Sequence, residues 1–527
     1  MALPTLPYND RIRKSQTVRF GGYDHNIGSG DGTIWDMKNM TSDLYPVLAS
    51  RKPRWKVRTL SDPGGLFAHD GLYWTDGDGF YADGVRKGTV TPGEKVMAAL
   101  GPSVIIFPDK KFYNKETDTF GSLEASVAGV SVTIKNGTYA GEDAEANTIS
   151  GTVSWADYFR EGDAVTISGA VKHPANNKTA IIREIDGGEL RFYENVFEIA
   201  EGGDKEVLTL RREVPDMDFL CSNENRLWGC KGDTIYASKL GDATNFNVFD
   251  GVATDSYAVD VGSAGDFTAC VSYLGYPIFF KEDSICKVYG SKPSNFQVMT
   301  SATLGVEAGS HRSLAVAGEI LFYLSRAGIV SYSGGIPQNI SRAFGVDRYR
   351  NAVGGSDGVK YYVSLSDADG AYALFVYDTR HNLWHKEDAL RVSAFAWDGE
   401  LYFVDADTGE LWMNGNARTV PAGAAEEGTA DSMVEFGDFV EADPNRKGTS
   451  KLQLRGELDD GARLTVEMQF DSDGIWRPVS TLTATVKRSW YLPIIPRRSD
   501  HFRIRLTGTG GWRLFSLVRE SYSGSEL

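Results

Sequence analysis

Cysteine, long apolar runs and helical periodicity are all scarce in this sequence. These scarcities argue against a disulfide-rich protein, a membrane-spanning protein and a helical protein, respectively. Four cysteines among 527 residues, with no CxxC spacing, exclude a dense disulfide framework. No apolar run approaches the roughly 20 residues that a membrane-spanning helix needs. The N-terminal residues also lack the apolar segment of a secretory signal peptide. We therefore expect a chain that is synthesised and folded in a cytoplasm and does not insert into a membrane.

The few cysteines are Cys221, Cys230, Cys270 and Cys286. Their irregular spacing matches no zinc-binding pattern. We expect them to be buried and reduced, and a disulfide or metal-binding pair is the alternative interpretation.

Positive charge is also in deficit, because 55 Lys and Arg residues face 71 Asp and Glu residues, for a formal charge of −16. Such a balance argues against a broad surface that grips nucleic acid phosphates. It remains compatible with a passage for DNA, since a repulsive wall does not retain the polymer. The hydrophobic content of 41% is ample for packed interiors, and the length predicts two to four domains.

Glycine is abundant, and it recurs within a repeated hairpin. "GLYWTDGDGFYADG" from Gly71 and "GELYFVDADTGELWMNG" from Gly399 share an aromatic-rich run, an Asp/Gly turn and a second apolar run. The Asp/Gly pairs suit two-residue hairpin turns, which require positive φ. Five further copies begin at Gly101, Asn225, Tyr276, Gly318 and Gly358.

The later copies are regularly spaced. Their first apolar runs are anchored at Ile278, Leu321, Tyr361 and Leu401, at intervals of 43, 40 and 40 residues. A period of about 40–50 residues built from short strands is typical of a β-propeller, whose blades are four-stranded sheets. The sequence therefore predicts an all-β fold with a propeller of about six to eight blades.

Two interruptions of the period predict additional domains. Surplus residues centred on Ala125–Arg212 contain strand patterns and predict a small β-barrel or sandwich inserted in the propeller. Near the C-terminus, period-two alternation in "ARLTVEMQF" and "HFRIRL" predicts a β-sandwich. The predicted division is an N-terminal arm (1–60), the first part of the propeller (61–124), the inserted domain (125–212), the rest of the propeller (213–415), a linker (416–432) and the C-terminal sandwich (433–527).

Asp-rich turns are the candidate metal sites. Asp405 and Asp407 are the pair that we single out, and similar pairs occur at Asp76/Asp78, Asp367/Asp369 and Asp471/Asp473. Each pair supplies half of the carboxylates of a calcium loop, but none continues to the bidentate Glu. We expect these aspartates to cap their own turns. The sequence predicts no catalytic residue, no cofactor site and no metal site.

Two other features have a structural and a functional interpretation. His381 and His385 are four residues apart, but their surroundings predict strand and turn rather than the helix that a metal pair would need. The basic stretch Ser50–Arg58 contains five cations. We expect a solvated strand or loop there, with contact to an acidic partner subunit, or to nucleic acid, as the alternatives. The basic residues near Arg497 are expected on the outer face of a strand.

Three segments together resemble a known family: "NMTSDLYPVLASRKPR" from Asn39, "YDTRHNLWHKED" from Tyr377, and "RRSDHFRIRLTGTGGWRLFSLVRE" from Arg497. The combination is similar to the β-propeller tail proteins of tailed bacteriophages and prophages, particularly the nozzle or hub proteins of short-tailed phages. The matching residues are Asn39, Tyr45-Pro46, Arg51, Tyr377-Asp378 and Trp384.

The resemblance implies a structural, non-enzymatic virion protein made in the host bacterial cytoplasm. It implies a homohexameric ring below the portal and its adaptor, which extends the DNA-ejection channel and docks tail fibres, spikes or other tail proteins. Genomic DNA would pass without specific binding. One alternative is a tail-tip or baseplate module that binds host-receptor glycans. Another is a propeller glycosidase, which needs two opposed carboxylates that the sequence does not place.

Overall fold

The structure is a computed structural model that describes residues 12–26, 33–135, 147–193, 197–199, 205–441, 445–483 and 485–523. Within these residues the regular structure is β-strand, apart from short 3-10 helices at Trp155–Asp157, Pro174–Asn176, Pro293–Asn295, His311–Ser313 and Ser341–Phe344. Among the same residues, no helix is both long and apolar enough to cross a membrane.

The chain forms two compact units. The first, here the barrel unit, is Ser61–Ala308. The second, here the sandwich unit, combines Met1–Leu60 with Gly309–Leu527. Each unit is built from four- or five-stranded antiparallel sheets of the propeller-blade type and one additional β-domain.

Four blades belong to the barrel unit, and in each the strands pair in chain order. Their strands are Pro63–Ala68, Leu72–Asp76, Gly79–Ala82 and Val85–Thr89 (first blade); Val96–Leu100, Ser103–Phe107, Lys111–Asn114 and Thr119–Ser122 (second); Phe219–Asn223, Arg226–Lys231, Thr234–Ala237 and Tyr257–Asp260 (third); Ala269–Tyr273, Tyr276–Lys281, Ser284–Tyr289 and Gln297–Ala302 (fourth).

The repeated hairpin forms the second and third strands of each blade. In the first blade, Tyr73 and Phe80 are buried and their rings stack at 6.0 Å. Gly77 turns the chain with a φ of +55°, a conformation that glycine adopts without steric cost. Apolar strands joined by a Gly-containing turn thus give each blade its buried centre.

The inserted domain is a closed barrel of six strands. In barrel order they are Ala125–Lys135, Thr148–Ser150, Glu189–Phe192, Thr179–Asp186, Ala164–Ser168 and Lys205–Arg212. Its core includes Trp155, Ile182 and Leu208, which are fully buried.

A buried aspartate of the barrel, Asp163, pairs with an arginine of the barrel and also contacts the third blade's connecting loop. Asp163 accepts hydrogen bonds from Arg212 Nη1 at 2.5 Å and from Asn245 Nδ2 at 2.9 Å. The side chains of Asp163 and Arg212 are only 2% and 7% exposed. An isolated buried charge is costly, so the pair with Arg212 compensates the charge of Asp163, and the hydrogen bond from Asn245 links the barrel to the third blade's loop.

Three blades belong to the sandwich unit. Their strands are Ala315–Ala317, Ile320–Ser325, Gly328–Tyr332 and Gln338–Asn339 (fifth blade); Arg350–Ser356, Lys360–Ser366, Tyr372–Asp378 and Leu383–Lys386 (sixth); Val392–Trp397, Leu401–Asp405, Glu410–Met413, Trp55–Thr59 and Ala425–Glu426 (seventh). The described residues of the two units therefore contain seven blades.

The C-terminal sandwich consists of two antiparallel sheets. One contains Ile12–Thr17, Met40–Thr41, Leu48–Ser50, Lys447–Leu458, Arg488–Leu492, Arg498–Ser499 and Trp512–Ser523; the other contains Ile34–Lys38, Asp431–Phe436, Arg463–Phe470, Arg477–Leu482 and Phe502–Thr509. Alternating residues such as Leu464, Val466 and Ile504 point into the core that the sheets share.

The N-terminal arm is part of these sheets. Its strands Ile12–Thr17 and Ile34–Lys38 pair with Trp512–Ser523 and Asp431–Phe436, and Trp55–Thr59 pairs with Glu410–Met413 in the seventh blade. The described part of the predicted arm (1–60) is thus woven into the sandwich and the last blade, and it does not form a separate element.

The predicted fold class is confirmed: the protein is all-β, with propeller blades, an inserted small barrel and a C-terminal sandwich. The reason is visible in the sequence pattern. Each repeated hairpin contains two apolar strands and the tight turn between them, so this part of a blade needs no distant partner. The seventh blade also takes a strand from the arm, Trp55–Thr59.

Candidate functional site

Two of the three segments that carry the family resemblance meet inside the sandwich unit. We call the contact between residues 39–54 and 377–388 the arm junction. Asn39 begins it: its backbone N–H donates to the carbonyl of Glu387, and its side-chain amide donates to the carbonyl of Asp431 at 2.7 Å. Asn39 has a φ of +54°, a conformation that asparagine adopts more readily than most residues.

Two arginines of the basic stretch are buried in the arm junction. Arg51 forms a two-pronged pair with Glu427, at 2.6 and 2.9 Å. Arg54 donates to Glu387 at 2.6 Å and to Asp388 at 2.7 Å. The two arginine side chains are 6% and 5% exposed, so the prediction that this stretch is solvated is wrong for them. Burial alone raises the pKa of Asp388, but the charge and hydrogen bond of Arg54 outweigh it and lower that pKa.

A buried aspartate anchors the turn of the arm. Asp378 is fully buried, and its Oδ2 accepts from Ser42 Oγ at 2.6 Å and from Arg380 Nη2 at 2.9 Å. Burial acts to raise the pKa of Asp378, but the hydrogen bonds from Arg380 and Ser42 lower it well below its ordinary value. Asp378 therefore stays an acceptor for the arm at every physiological pH.

The two neighbouring histidines do different things. His381 stacks on Tyr45 of the arm, with ring centroids 4.4 Å apart. His385 is buried in the last strand of the sixth blade, and burial, followed by the charge of Lys360, lowers its pKa to about 3. Their environments are those of the strand and turn that the sequence predicts, and each ring packs against a different part of the junction.

The arm also contacts the backbone of the sixth blade at Trp384. Its indole N–H donates to the carbonyl of Ile340 at 2.8 Å, and its own carbonyl accepts from the N–H of Tyr23 at 2.6 Å. Gly22 passes directly over this carbonyl, where a Cβ would lie only 2.3 Å from the oxygen. Glycine is required here because only a residue without a side chain allows this approach.

The third resembling segment also holds the arm. Trp512 donates from its indole to Ser432 Oγ at 2.6 Å and from its backbone to Ser50 Oγ at 3.1 Å. Arg519 donates to Thr17 Oγ1 at 2.9 Å. All three resembling segments are therefore brought together around the N-terminal arm.

A polar cleft of about 450 Å³ opens beside the arm junction, within the sandwich unit. Trp397, which is 47% exposed, lies at its edge. Asp43 of the arm lies in its wall and accepts from Lys360 Nζ at 2.5 Å and from Asn416 Nδ2 at 2.7 Å. The sequence analysis did not identify this cleft, because its residues come from segments more than 300 positions apart.

The Asp-rich turns use their oxygens locally. Asp405 Oδ1 accepts from the N–H of Asp407 at 2.9 Å, and Oδ2 accepts from Thr408 Oγ1 at 2.8 Å. Asp407 instead pairs with Arg391 at 3.4 Å. Asp405 and Asp407 are thus engaged with different partners, and the role of this turn stays a prediction.

A different aspartate pairing arises on the sandwich loops. Asp471, Asp500 and His501 offer ligand atoms that all lie within 4.8 Å of one another. His501 already bonds through Nδ1 to Asp500 and through Nε2 to Ser472 Oγ at 2.7 Å. The sequence analysis paired Asp471 with Asp473, but Asp473 instead accepts from Arg477 at 2.7 Å.

All four cysteines are buried and free. Cys221, Cys230, Cys270 and Cys286 belong to one core cluster between the third and fourth blades. Contact with Cys270, followed by burial, raises the pKa of the Cys221 thiol. The structure thus agrees with the interpretation of a buried, reduced set.

A second, larger cleft lies in the barrel unit. It has a volume of about 670 Å³ and follows the junction of the barrel and the third blade. Lys110 crosses it and donates to Glu124 and Asp216, each at 2.8 Å, while Phe249 is 60% exposed at its edge. Lys110, in the second blade, is thus paired with carboxylates that immediately precede and follow the barrel in the sequence.

The comparisons with known proteins identify no family. No protein-family model matches the sequence, and no curated protein matches it. Among solved structures, Raptor from Chaetomium thermophilum is 12% identical over 70% of this chain, with a TM-score of 0.32, and this chain spans only 30% of its length.

Two further solved structures have similarly low scores. PorZ, a bacterial surface component of the type-IX secretion system of Porphyromonas gingivalis, is 13% identical over 87% of this chain and 71% of its own, with a TM-score of 0.28. The sialidase of Trypanosoma rangeli is 9% identical over 95% of this chain and 96% of its own, with a TM-score of 0.21. None of these similarities carries an argument about function, and the resemblance to phage tail proteins stays a prediction.

Proposed function

We propose that this protein is a structural component of a bacteriophage tail, of the nozzle or hub type, that extends the channel for DNA ejection. The observation that carries the proposal is the arm junction. The sequence resemblance rests on three separate segments; one of them is part of the N-terminal arm, and the other two contact the arm.

The chemistry of the arm junction suits a structural role. Three charged side chains, those of Arg51, Arg54 and Asp378, form ion pairs within the chain, at distances of 2.6–2.9 Å. Burying a charge is tolerated only when its partners are fixed, so these pairs make the position of the arm specific. Within this proposal the residues of the resemblance shape the protein and perform no catalysis.

The charge of the chain fits a conduit. With a formal charge of −16, the protein as a whole repels DNA and does not bind it over a broad surface. In the proposed role the chain assembles as a homohexameric ring next to the portal-proximal adaptor and contacts fibres or spikes. Function then consists of shape, ring closure and contacts with neighbouring tail proteins.

Protein composition of purified particles tests this proposal. Particles from an induced or infected culture are banded on a density gradient and analysed by quantitative mass spectrometry. The proposal predicts that this chain co-purifies with the portal protein at a fixed ratio across the gradient. Its absence from particles that contain the other tail proteins would overturn the proposal.

A further inference from the structure

The polar cleft beside the arm junction has the chemistry of a carbohydrate site. We propose that this cleft binds a neutral oligosaccharide, with Trp397 as the stacking surface for one sugar ring. The proposal concerns a binding activity of the isolated chain and does not depend on incorporation into a virion.

The exposed indole is the first argument. Trp397 is the last residue of the strand Val392–Trp397, and 47% of its surface is exposed at the edge of the cleft. An indole so exposed next to a concave surface can cover the apolar C–H face of a pyranose ring, and dispersion and burial of apolar area then stabilise the contact.

Polar side chains line the same cleft as this indole. Asp43 supplies a carboxylate, Asn416 an amide, and Arg380 and Arg418 guanidinium groups. These planar groups provide donors and acceptors of the kind that sugar hydroxyls need. The cleft, at about 450 Å³, has the size of a small-molecule site.

The wall of the cleft is held in place before any ligand arrives. Lys360 is 3% exposed and donates to Asp43 at 2.5 Å. Asp43 also accepts from Thr41 Oγ1 at 2.8 Å and from Asn416 at 2.7 Å. Tyr362 links Asp357 and the cleft residue Asn414 beneath this wall, at 3.0 and 2.9 Å. Groups that are already ordered lose little entropy on binding.

The charges in the cleft favour a neutral ligand. Lys360 is paired with Asp43, and Arg380 is paired with Asp378. Glu400 accepts from the backbone of Arg418 at 2.6 Å. The three acidic and three basic side chains that line the cleft balance each other, so no strong field of one sign selects an ionic ligand. A purely apolar ligand is disfavoured, because it would desolvate these charges without hydrogen-bonding them.

The test is isothermal titration calorimetry of the full chain with four probes. Cellohexaose, maltohexaose and mannohexaose are the neutral probes, and hexagalacturonate is the charged probe. We expect binding of at least one neutral hexasaccharide. Failure of all three neutral probes to bind would overturn the proposal, and so would tighter binding of hexagalacturonate.

Substitutions then locate the site. W397A should weaken binding by about tenfold or more, which corresponds to about 1.4 kcal/mol. W397F retains an aromatic face and should keep most of the affinity. Y491A is the matched control, because Tyr491 is 67% exposed on the sandwich and lies outside the cleft.

Equal affinity of W397A and the unsubstituted chain would overturn the assignment to this cleft, as would an equal loss in Y491A. Circular dichroism and thermal unfolding of each variant establish that a loss of affinity is not a loss of fold. These outcomes are independent of the particle analysis, since a tail component without this site would still co-purify with the portal.

Discussion

Gly22 of the N-terminal arm lies directly on the backbone carbonyl of Trp384, so close that a Cβ on residue 22 would be 2.3 Å from that oxygen. The next residue, Tyr23, donates its backbone N–H to the same carbonyl at 2.6 Å. The arm is therefore fitted to the sixth blade at the level of the backbone, and this contact can be tested by adding a single methyl group.

Gly22→Ala is expected to destabilise the sandwich unit by on the order of 2 kcal/mol, because the methyl group must displace the arm or the strand that carries Trp384. Gly21→Ala is the matched control, since no heavy atom lies within 4 Å of the Cβ it would add. Urea unfolding followed by tryptophan fluorescence measures both. Equal midpoints for the two variants would contradict the described path of the arm.

Removing the buried guanidinium of Arg54 should be costly. Arg54→Ala removes the two short hydrogen bonds to Glu387 and Asp388 and leaves these carboxylates with longer contacts to Arg51, at 3.8 and 3.6 Å. We expect a cost of about 3 kcal/mol, the lower end of the range for breaking a buried ion pair. Lys52→Ala, in the same basic stretch but exposed, should change the free energy of unfolding by about 0.5 kcal/mol or less. Thermal and urea unfolding distinguish the two. A change of about 0.5 kcal/mol or less in Arg54→Ala would contradict the buried ion pairs and would favour a solvated basic stretch.

Stability should fall in acid in a way that depends on Asp43. Burial raises its pKa, but the charge and hydrogen bond of Lys360 outweigh this and lower it from 3.8 to about 2. Because the folded-state pKa is lowered, the contribution to stability is complete above about pH 5 and is lost as the pH falls through 4 towards 2. Asp43→Asn should remove on the order of 1–2 kcal/mol of this pH-dependent stability.

Urea unfolding at a series of pH values from 2 to 7 measures how steeply the free energy of unfolding depends on pH. Asp369→Asn, at an exposed turn, records the effect of removing one surface charge. An unchanged slope in Asp43→Asn would mean that the pair with Lys360 does not persist in solution.

The cysteines should resist thiol reagents in the folded protein. Contact with Cys270, followed by burial, raises the pKa of Cys221, and burial, helped by contact with Cys230, raises the pKa of Cys270. Both shifts disfavour the reactive thiolate. We expect no reaction with Ellman's reagent within minutes under native conditions and four reactive thiols per chain in denaturant. Rapid native labelling would show that the third and fourth blades open readily.

The blades were predictable because their information is local. The copy at Gly71 contains both strands and the turn between them, and its aromatic residues Tyr73 and Phe80 are buried in the blade. The barrel was predictable for the same reason, since its six strands follow one another between Ala125 and Arg212.

The role of the arm was not predictable, because its partners are distant in sequence. Ile34–Lys38 pairs with Asp431–Phe436, almost 400 residues away, and no local pattern encodes that pairing. The burial of Arg54 was unpredictable for the same reason, because its partner Glu387 lies 333 residues further along the chain. The available signals were the two nearby arginines, Arg51 and Arg54, and the acidic end of "WHKED". That these arginines and carboxylates form ion pairs could be established only from the folded structure.

Electron microscopy of particles labelled with gold-conjugated antibody against this chain tests the proposed tail role most directly. The proposal predicts gold around the neck or along the tail axis of each particle, at a position where sixfold averaging resolves a ring. Label confined to the distal tip would support a receptor-binding module instead. Particles without label, from a culture that expresses the chain, would contradict the assignment to a phage tail.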